Sequence, residues 1–310
     1  MENILITGGT GLIGKHLTKM LIDNGYSVAL LGRKINKTGD LQTWFWDIEN
    51  NTVDAGALDS ADYIIHLAGA GIGDKRWSKR RKKEIRDSRI RSAQLIFDQV
   101  MQGKRRVKAF LSASAIGYYG GTTSEKIFSE TDPPAADFLG ETCRLWEEAA
   151  DRFRNAGIRT VKIRTGVVLT PKGGALSKLA LPVKMGIGSH LGNGSQYMPW
   201  IHIEDLCGIY LKALKDQSVQ GSYNAVAPEH ITNRQLMKAI AGVLHKPMWF
   251  PPVPAFALRL LFGEMASLFL SGSRVSCNQI TRTGYAFKYS RLKDALGNLL
   301  GNSLQLTRRD

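Results

Sequence analysis

The sequence predicts an α/β protein built around a doubly wound parallel sheet, with a smaller second part. Short β-branched runs alternate with longer helical patterns through the first half of the chain, which is typical of βαβ units. A glycine-rich turn lies between the first strand and the first helix. The 310 residues, 43% of them hydrophobic, are enough for one large core or for a large and a small domain.

The first-half elements follow from changes in hydrophobic period. An apolar run at 4–7 predicts the first strand, and the helical spacing after it predicts a helix over 11–24. The later runs give further strands, of which 63–67 is the most apolar, and two longer helices. The predicted strands are 27–31, 42–46, 63–67, 107–112 and 160–164, and the predicted helices are 78–101 and 138–155. Six strands with crossovers fit one sheet.

After Gly166 the chain becomes rich in glycine and proline, a composition that favours loops. We interpret 166–197 as the substrate side of the site. The chain is then expected to return to the sheet at 198–203, form a helix from Glu204 and Asp205 to residue 215 and a strand at 222–225, and continue mainly as helices. The expected domains are 1–230, with 166–197 contributing to the substrate side, and a mainly helical C-terminal domain at 231–310.

Composition predicts the cellular compartment of the protein and the state of its cysteines. The first apolar run breaks into Thr7 and Gly8 too early for a signal peptide, so a cytoplasmic protein is expected. The stretch 255–270 falls short of the roughly 20 apolar residues of a membrane span; we interpret it as a buried or amphipathic helix and expect no membrane partner. Cys143, Cys207 and Cys277 are too scattered for a disulfide framework or a metal site, and they are expected to be packed thiols.

The net charge of +15 raises the possibility of an anionic partner. Seven basic residues crowd the stretch from Lys75 to Lys83, which is either a solvated helix face or a source of side chains for a cofactor. No helix-turn-helix, zinc-finger or aromatic RNA-binding pattern accompanies this charge. Nucleic acid is therefore not expected as a partner.

The turn at residues 7–14, Thr-Gly-Gly-Thr-Gly-Leu-Ile-Gly, carries the strongest chemical signal. Gly8 permits a sharp turn, Gly11 lets a pyrophosphate approach the backbone, and Gly14 permits close helix–strand packing. The N–H groups at the helix start then face the phosphates. Because strand, glycines and helix arrive in order, the turn predicts a Rossmann-type dinucleotide site that includes Thr10, Leu12 and Ile13.

The end of the second strand predicts which dinucleotide fits. An acidic residue there would bind the adenosine ribose hydroxyls and repel a 2′-phosphate. This chain instead has Gly32, Arg33 and Lys34, and both cations can bind a phosphate. NADP(H) is therefore expected as the cofactor. Asp47 is either part of the adenine pocket or an acidic turn residue.

Further motifs extend the pattern across nearly the whole chain, and they are similar to the extended short-chain dehydrogenase/reductase superfamily. More closely, the chain resembles its atypical, NAD-dependent epimerase/dehydratase-like branch, which includes cell-division-inhibitor-like epimerase family proteins. The stretch from about Arg234 is similar to the small C-terminal domain of that branch. The motifs lie at 66–69, 76–77, 88–90, 112–120, 146–147, 164–169, 199–202 and 274–275.

The resemblance implies several cofactor contacts. It implies that Leu67, Ala68 and Gly69 line the cofactor, that Glu84 and Arg89 reach it, and that Arg164 lies near its nicotinamide half. For Glu84, an ion pair with Arg80 on the helix surface is an equal alternative.

The chain departs from the superfamily in its acid–base pair. Short-chain reductases use Tyr-x-x-x-Lys, in which lysine lowers the pKa of the tyrosine. Anchoring on Glu147 puts Leu139 and Cys143 at those positions, and neither can exchange the proton. Ser114 matches the superfamily's serine, which hydrogen-bonds a substrate oxygen.

Replacement acids are therefore needed if the chain is an enzyme. Tyr118 and Tyr119 rank first because they follow a strand at the edge where such sheets bind ligands. Glu141 and His202 are further candidates, and Glu204 and Asp205 are expected only to start a helix.

Three functional hypotheses remain. The first is an NADP(H)-dependent oxidoreductase or epimerase-like enzyme acting on an unidentified small molecule, with the C-terminal domain closing over it. The second is a protein that binds NADP(H) without hydride chemistry and engages a protein partner. The third, nucleic-acid binding, predicts affinity that falls steeply with salt. Oligomeric state is left open.

Overall fold

The computed structural model describes residues 1–35, 41–54, 56–103 and 106–301. In chain order, its strands are β1 (Asn3–Thr7), β2 (Ser27–Gly32), β3 (Thr43–Asp47), β4 (Thr52–Val53), β5 (Tyr63–His66), β6 (Ala109–Ala115), β7 (Ile127–Phe128), β8 (Arg159–Thr165), β9 (Val167–Leu169), β10 (Trp200–His202), β11 (Gly221–Ala225) and β12 (Arg274–Val275).

The helices, in chain order, are α1 (Leu12–Asp23), α2 (Gly56–Asp59), α3 (Lys79–Gln102), α4 (Phe138–Asn155), α5 (Gly174–Lys184), α6 (Ile203–Lys215), α7 (Asn233–Val243), α8 (Ala255–Phe262), α9 (Ser267–Leu270), α10 (Asn278–Arg282) and α11 (Leu292–Leu296). Short 3₁₀ turns follow β6 and α8, and a π turn follows α11. None of the described helices combines the length and apolar content needed to cross a bilayer.

The chain divides into two compact units, and both are assembled from separate segments. The first unit contains Met1–Tyr118, Ala136–Arg164 and Cys207–Tyr223; the second contains Tyr119–Ala135, Thr165–Leu206 and the described residues from Asn224. The predicted substrate-side segment 166–197 and the described part of 231–310 both lie in the second unit.

The main sheet among the described residues has the order β11-β8-β6-β5-β1-β2-β3-β4. β1 pairs in parallel with both β2 and β5, whereas β4 runs antiparallel to β3. From β1 the chain builds outward in one direction through β2 and later in the other through β5 and β6. Ligands bind such sheets where the order reverses, so the carboxyl ends of β1 and β5 mark the expected site.

The core of the first unit lies between this sheet and its helices. The central strands β1, β5 and β6 are buried along almost their whole length, as expected of a parallel sheet that helices cover on both faces. The rings of Phe110 and Phe153 stack at 3.7 Å between centroids and join β6 to α4. The rest of this core includes Leu5, Leu31, Trp46, Ile64 and Ile96.

The second unit has its own core and is mainly helical. Trp200 and Leu169 pack there with residues of α5, α7 and α11, including Leu176, Leu236, Ile240 and Leu296. Thr232 caps α7 reciprocally with Gln235, each side chain bonding the other's backbone N–H, which is a capping box. The sequence-based expectation of a Rossmann-type sheet with a smaller, mainly helical part is confirmed.

One predicted strand does not join the expected sheet. The chain was expected to return to the main sheet at 198–203, but β10 pairs in parallel with β9 in a separate two-stranded sheet. Gly166 permits the pairing with β9, since a Cβ there would lie 2.5 Å from the Pro199 carbonyl oxygen. A larger residue would push Pro199, and with it β10, away from β9.

Candidate dinucleotide and acid–base site

The glycine turn after β1 is wound too tightly for side chains at two of its positions. Gly8 has φ +70°, and a Cβ there would lie 2.9 Å from the carbonyl carbon of Leu67. A Cβ at Gly14 would lie 2.4 Å from the Gly8 carbonyl oxygen. The turn therefore needs glycine both for its backbone conformation and for its contact with the chain after β5.

The start of α1 fits the pyrophosphate of a dinucleotide. Gly11 is the N-cap, no side chain among the described residues caps the helix, and the first turn holds no acidic residue. Thr10, Gly11 and Leu12 are exposed. Uncapped N–H groups and the positive end of the helix dipole are the features that bind phosphate at a helix start.

The ends of β1 and β5 are tied together beside this turn. The Thr7 hydroxyl oxygen accepts hydrogen bonds from the backbone N–H groups of Leu67 and Ala68, both at 3.2 Å. The segment that follows β5, residues 67–71, is called the β5 loop below. Three side chains of α3 hold it. Ser88 accepts from the Ala70 N–H at 2.9 Å, Arg89 donates to the Ala70 carbonyl at 3.0 Å, and Arg81 donates to the Gly71 carbonyl.

Arg89 and Glu84, which the resemblance assigned to the cofactor, have different surroundings in the structure. Arg89 lies under the β5 loop, where a Cβ on Gly69 would be 3.0 Å from its guanidinium carbon, and it stacks on the Trp146 ring at 4.9 Å. Glu84 is exposed and pairs with Arg81 at 2.8 Å, not with Arg80. Hydrogen bonding from Arg81 lowers the pKa of Glu84. Direct contact of either residue with a cofactor stays a prediction.

The two cations nominated for a 2′-phosphate are accessible. Arg33 and Lys34 directly follow β2 and are both exposed. Asp47 ends β3, and hydrogen bonds from the Asn50 side chain and from the N–H groups of Asn50 and Glu49 lower its pKa. The geometry of Asp47 is that of a turn residue.

The positions of the missing acid–base pair are filled by a leucine and a buried cysteine. Leu139 and Cys143 face Gly117, whose Cβ would lie 3.4 Å from the Leu139 Cβ and 3.7 Å from the Cys143 sulfur. Burial raises the pKa of Cys143 to about 12. The thiol is therefore neutral at physiological pH.

A buried carboxylate next to this position joins three of the elements. Glu147 on α4 accepts from the Ser114 hydroxyl at 2.7 Å, from Arg164 Nε at 2.7 Å and from Arg164 Nη2 at 2.9 Å. Lys162 lies 3.7 Å away. Burial raises the pKa of Glu147, but the hydrogen bonds and charge of Arg164 outweigh burial and hold that pKa below its usual value.

Tyr118 is the acid–base candidate in contact with this cluster. The guanidinium of Arg164 lies 3.5 Å from the centroid of the Tyr118 ring, close enough for a cation–π contact. Burial raises the pKa of Tyr118, and the charge of Arg164 partly offsets the rise. Tyr118 is therefore protonated at neutral pH and can donate a proton.

The other candidates lie elsewhere. Tyr119 is buried in the second unit, where its hydroxyl donates to Asn224 Oδ1 at 2.7 Å. His202, also in that unit, stacks on Tyr289 and accepts from the Glu204 N–H at the start of α6; burial lowers its pKa. Glu141 is exposed on the first turn of α4.

Sequence reasoning used Glu147 only as a reference point and overlooked Lys162. A signal was present: Glu147 lies one turn after buried Cys143 on α4, and Lys162 and Arg164 alternate on β8. A carboxylate on the buried face of a helix needs a cationic partner. Strand β8 supplies two such cations, Lys162 and Arg164.

Comparisons with known proteins agree with this fold. Residues 4–226 match the family described as NAD dependent epimerase/dehydratase, and residues 253–299 match a domain of unknown function, DUF1731. The chain is 36% identical over 302 residues to the Bacillus subtilis epimerase family protein YfhF, covering 97% of this chain and 98% of that protein.

A plant relative and a human structure extend the similarity. The chain is 34% identical to the chloroplastic epimerase family protein SDR39U1 homolog of Arabidopsis thaliana, over 94% of this chain and 85% of that protein. The crystal structure of human epimerase family protein SDR39U1 with NADPH superposes with a TM-score of 0.88 at 32% identity, covering 97% of this chain and 99% of that one.

Proposed function

Since this chain belongs to the NAD-dependent epimerase/dehydratase family, we propose that it binds NADP(H) and uses it as an oxidoreductase or epimerase-like enzyme on a small molecule. The observation that carries the proposal is the uncapped start of α1 behind the glycine turn, with Arg33 and Lys34 exposed at the end of β2. The NADPH in the structure of the human relative supports the choice of dinucleotide.

The acid–base part of the proposal assigns the proton to Tyr118. When bound, NADP(H) would supply the hydride chemistry: transfer to a substrate carbonyl carbon, or removal from the corresponding alcohol. In the reducing direction, the Tyr118 hydroxyl gives its proton to the substrate oxygen, which leaves an alcohol, and solvent reprotonates the tyrosinate. Arg164 orients the ring by stacking against its face, and its positive charge favours loss of the proton. This pair takes the place of Tyr-x-x-x-Lys.

Ser114 has a restricted role in this scheme. A serine hydroxyl has one hydrogen to donate and two lone pairs to accept with, and the Ser114 hydrogen is directed to Glu147. Ser114 therefore accepts a hydrogen bond from a substrate hydroxyl, and it does not donate one to a carbonyl while Glu147 is ionised.

The cofactor part is tested by titrating the protein with NADPH and NADH, followed by fluorescence at fixed salt. We expect NADPH to bind more tightly and Arg33→Ala to remove most of the preference, since the variant loses one charge-assisted phosphate contact, worth roughly 1.5–3 kcal/mol. Arg282→Ala, which removes an exposed cation from α10, is the matched control. Equal affinity for the two nucleotides would contradict the choice of NADP(H).

The catalytic part is tested by NADPH oxidation over a panel of small aldehydes and ketones. For any compound that is reduced, Tyr118→Phe should lower kcat by about 100-fold or more while leaving NADPH binding unchanged. Tyr119→Phe is the matched control, because it removes a hydroxyl that is engaged with Asn224. An equal loss of kcat in the control would move the assignment away from Tyr118.

A second candidate is a protein that binds NADP(H) without turning it over and engages a protein partner. The observation that favours it is the filling of the usual pair's positions by Leu139 and the neutral thiol of Cys143. It predicts tight NADPH binding with no oxidation across the panel, and no effect of Tyr118→Phe.

A further inference from the structure

Two segments of the second unit carry a concentration of exposed, large hydrophobic side chains. More than half of such side chains among the described residues lie between residues 181 and 261, and Trp249, Phe256 and Leu260 are 72%, 73% and 78% exposed. The apolar face, as we call this set, consists of Leu181, Met185, Ile187, Trp249, Phe250, Phe256, Leu260 and Leu261.

Hydrogen bonds hold the two segments together. The Ser189 hydroxyl donates to the Pro251 carbonyl at 2.6 Å, and the Val253 N–H donates to the His190 carbonyl at 3.0 Å. These bonds place the chain after α5 directly against the chain after Trp249 and Phe250. The apolar side chains of both segments therefore belong to one region of the second unit.

Helix α8 turns its apolar residues outward. Leu258 is its buried residue, while Phe256 and Leu260, one turn apart, are exposed. The sequence-based expectation for 255–270 was a buried or amphipathic helix. The observed helix is neither buried nor amphipathic, because the side opposite its buried residue is exposed and also apolar.

The chain stretches that carry the apolar face are basic, and the acidic residue that follows them most closely is Glu264, three residues after Leu261. The stretches 165–203 and 230–263 contain no aspartate or glutamate, although the chain has 27 acidic residues. Lys184, Lys246 and Arg259 lie beside the exposed apolar side chains and are themselves exposed. The same stretches also contain Lys172, Lys178, Arg234 and Lys238.

We propose that the apolar face binds the surface of a bilayer that contains anionic lipids. Protruding tryptophan, phenylalanine and leucine side chains insert at the boundary of headgroups and acyl chains, and lysine or arginine beside them meets the lipid phosphates. A second copy of the chain fits less well, since a two-fold contact brings the same patch together and would oppose like charges. This surface contact needs no membrane-spanning helix.

The backbone favours such a contact as well. Pro247, Pro251, Pro252 and Pro254 flank Trp249 and Phe250, and proline restricts the chain before binding. Less conformational entropy is then lost when the aromatic side chains insert.

The proposal is tested by co-sedimentation with vesicles of phosphatidylcholine alone and of phosphatidylcholine with phosphatidylglycerol. We expect binding to the anionic vesicles that weakens with added salt. Trp249→Ser/Leu260→Ser/Leu261→Ser should lower the partition coefficient by about tenfold or more. Full burial of even one such side chain changes a partition coefficient by about tenfold or more. Lys184→Glu/Lys246→Glu/Arg259→Glu should abolish the preference for anionic vesicles.

Ile22→Ser/Met101→Ser is the matched control, because it removes exposed apolar side chains from the first unit. It should bind vesicles as the unchanged protein does. Circular dichroism and thermal unfolding verify that each variant is folded, so the vesicle result does not depend on whether NADPH binds.

Three outcomes would overturn the proposal. The first is that neither vesicle is bound, and the second is that both are bound equally. The third is that vesicles are not bound, while light scattering shows self-association that the triple serine variant abolishes. The last outcome would assign the face to contacts between copies of the chain.

Discussion

At the scale of single residues, Glu147 organises the candidate acid–base site. It receives hydrogen bonds from Ser114 on β6 and Arg164 on β8, so one carboxylate fixes two residues that the sequence nominated separately. Its burial was readable from the helical period of α4. Its bond to Ser114 was not, because the bond depends on β6 and β8 being neighbours in the sheet.

Replacing Glu147 by glutamine should destabilise the fold strongly. The variant keeps the shape but leaves Arg164 buried without its anionic partner, and breaking a buried pair costs about 3–5 kcal/mol. Urea unfolding at pH 7 measures the loss. Because the folded pKa of Glu147 lies below its unfolded value, its stabilisation is fully present above the unfolded pKa of about 4.3 and is lost as pH falls through the folded pKa. The difference between the two proteins should therefore narrow at low pH.

The neighbouring residue provides the control for this prediction. Glu148 is exposed and pairs with Arg144 on the helix surface, so Glu148→Gln should cost less than about 1 kcal/mol. A loss as large as that of Glu147→Gln would mean that the effect comes from altering α4 and not from the buried ion pair.

At the scale of elements, α3 shows what a sequence can and cannot predict. Its bounds were predicted to within one residue, and Ser78 caps it by accepting from the Arg81 N–H. Its basic residues were interpreted as a solvated face or as cofactor ligands. In the structure, Arg81 and Arg89 bond the β5 loop, a role that neither interpretation included. Such a role depends on where a distant loop lies, which hydrophobic period does not show.

Strand β10 shows a second limit of prediction from sequence. Its extended conformation was predicted, but its sheet was not, because an apolar run does not specify its partner. The pairing with β9 depends on the close approach of Gly166 to Pro199. Glycine was visible at that position in the sequence, and only the structure shows which backbone it admits.

At the scale of the whole molecule, the excess of positive charge arises in two different ways. The basic residues from Lys75 to Lys83 were visible as a run in the sequence, and Arg81 among them is largely buried. The charge of the second unit comes instead from long acid-free stretches with scattered cations. A search for clusters of charged residues does not detect that pattern. The pattern consists of two stretches without acidic residues, and the fold brings these stretches together.

The division into two units leads to a prediction for hydrogen exchange with NADPH. The nominated cofactor residues all lie in the first unit, and the second unit has a separate core. At about 100 times its Kd, a ligand stabilises the state that binds it by about 2.7 kcal/mol. Amides of β1, α1 and the β5 loop should therefore exchange more slowly, whereas those of α7 and α8 should change little. NADH at the same concentration, measured by mass spectrometry in parallel, should protect the first set less. Equal protection of α8 would mean that the nucleotide also orders the second unit, and that residues beyond those nominated take part in binding it.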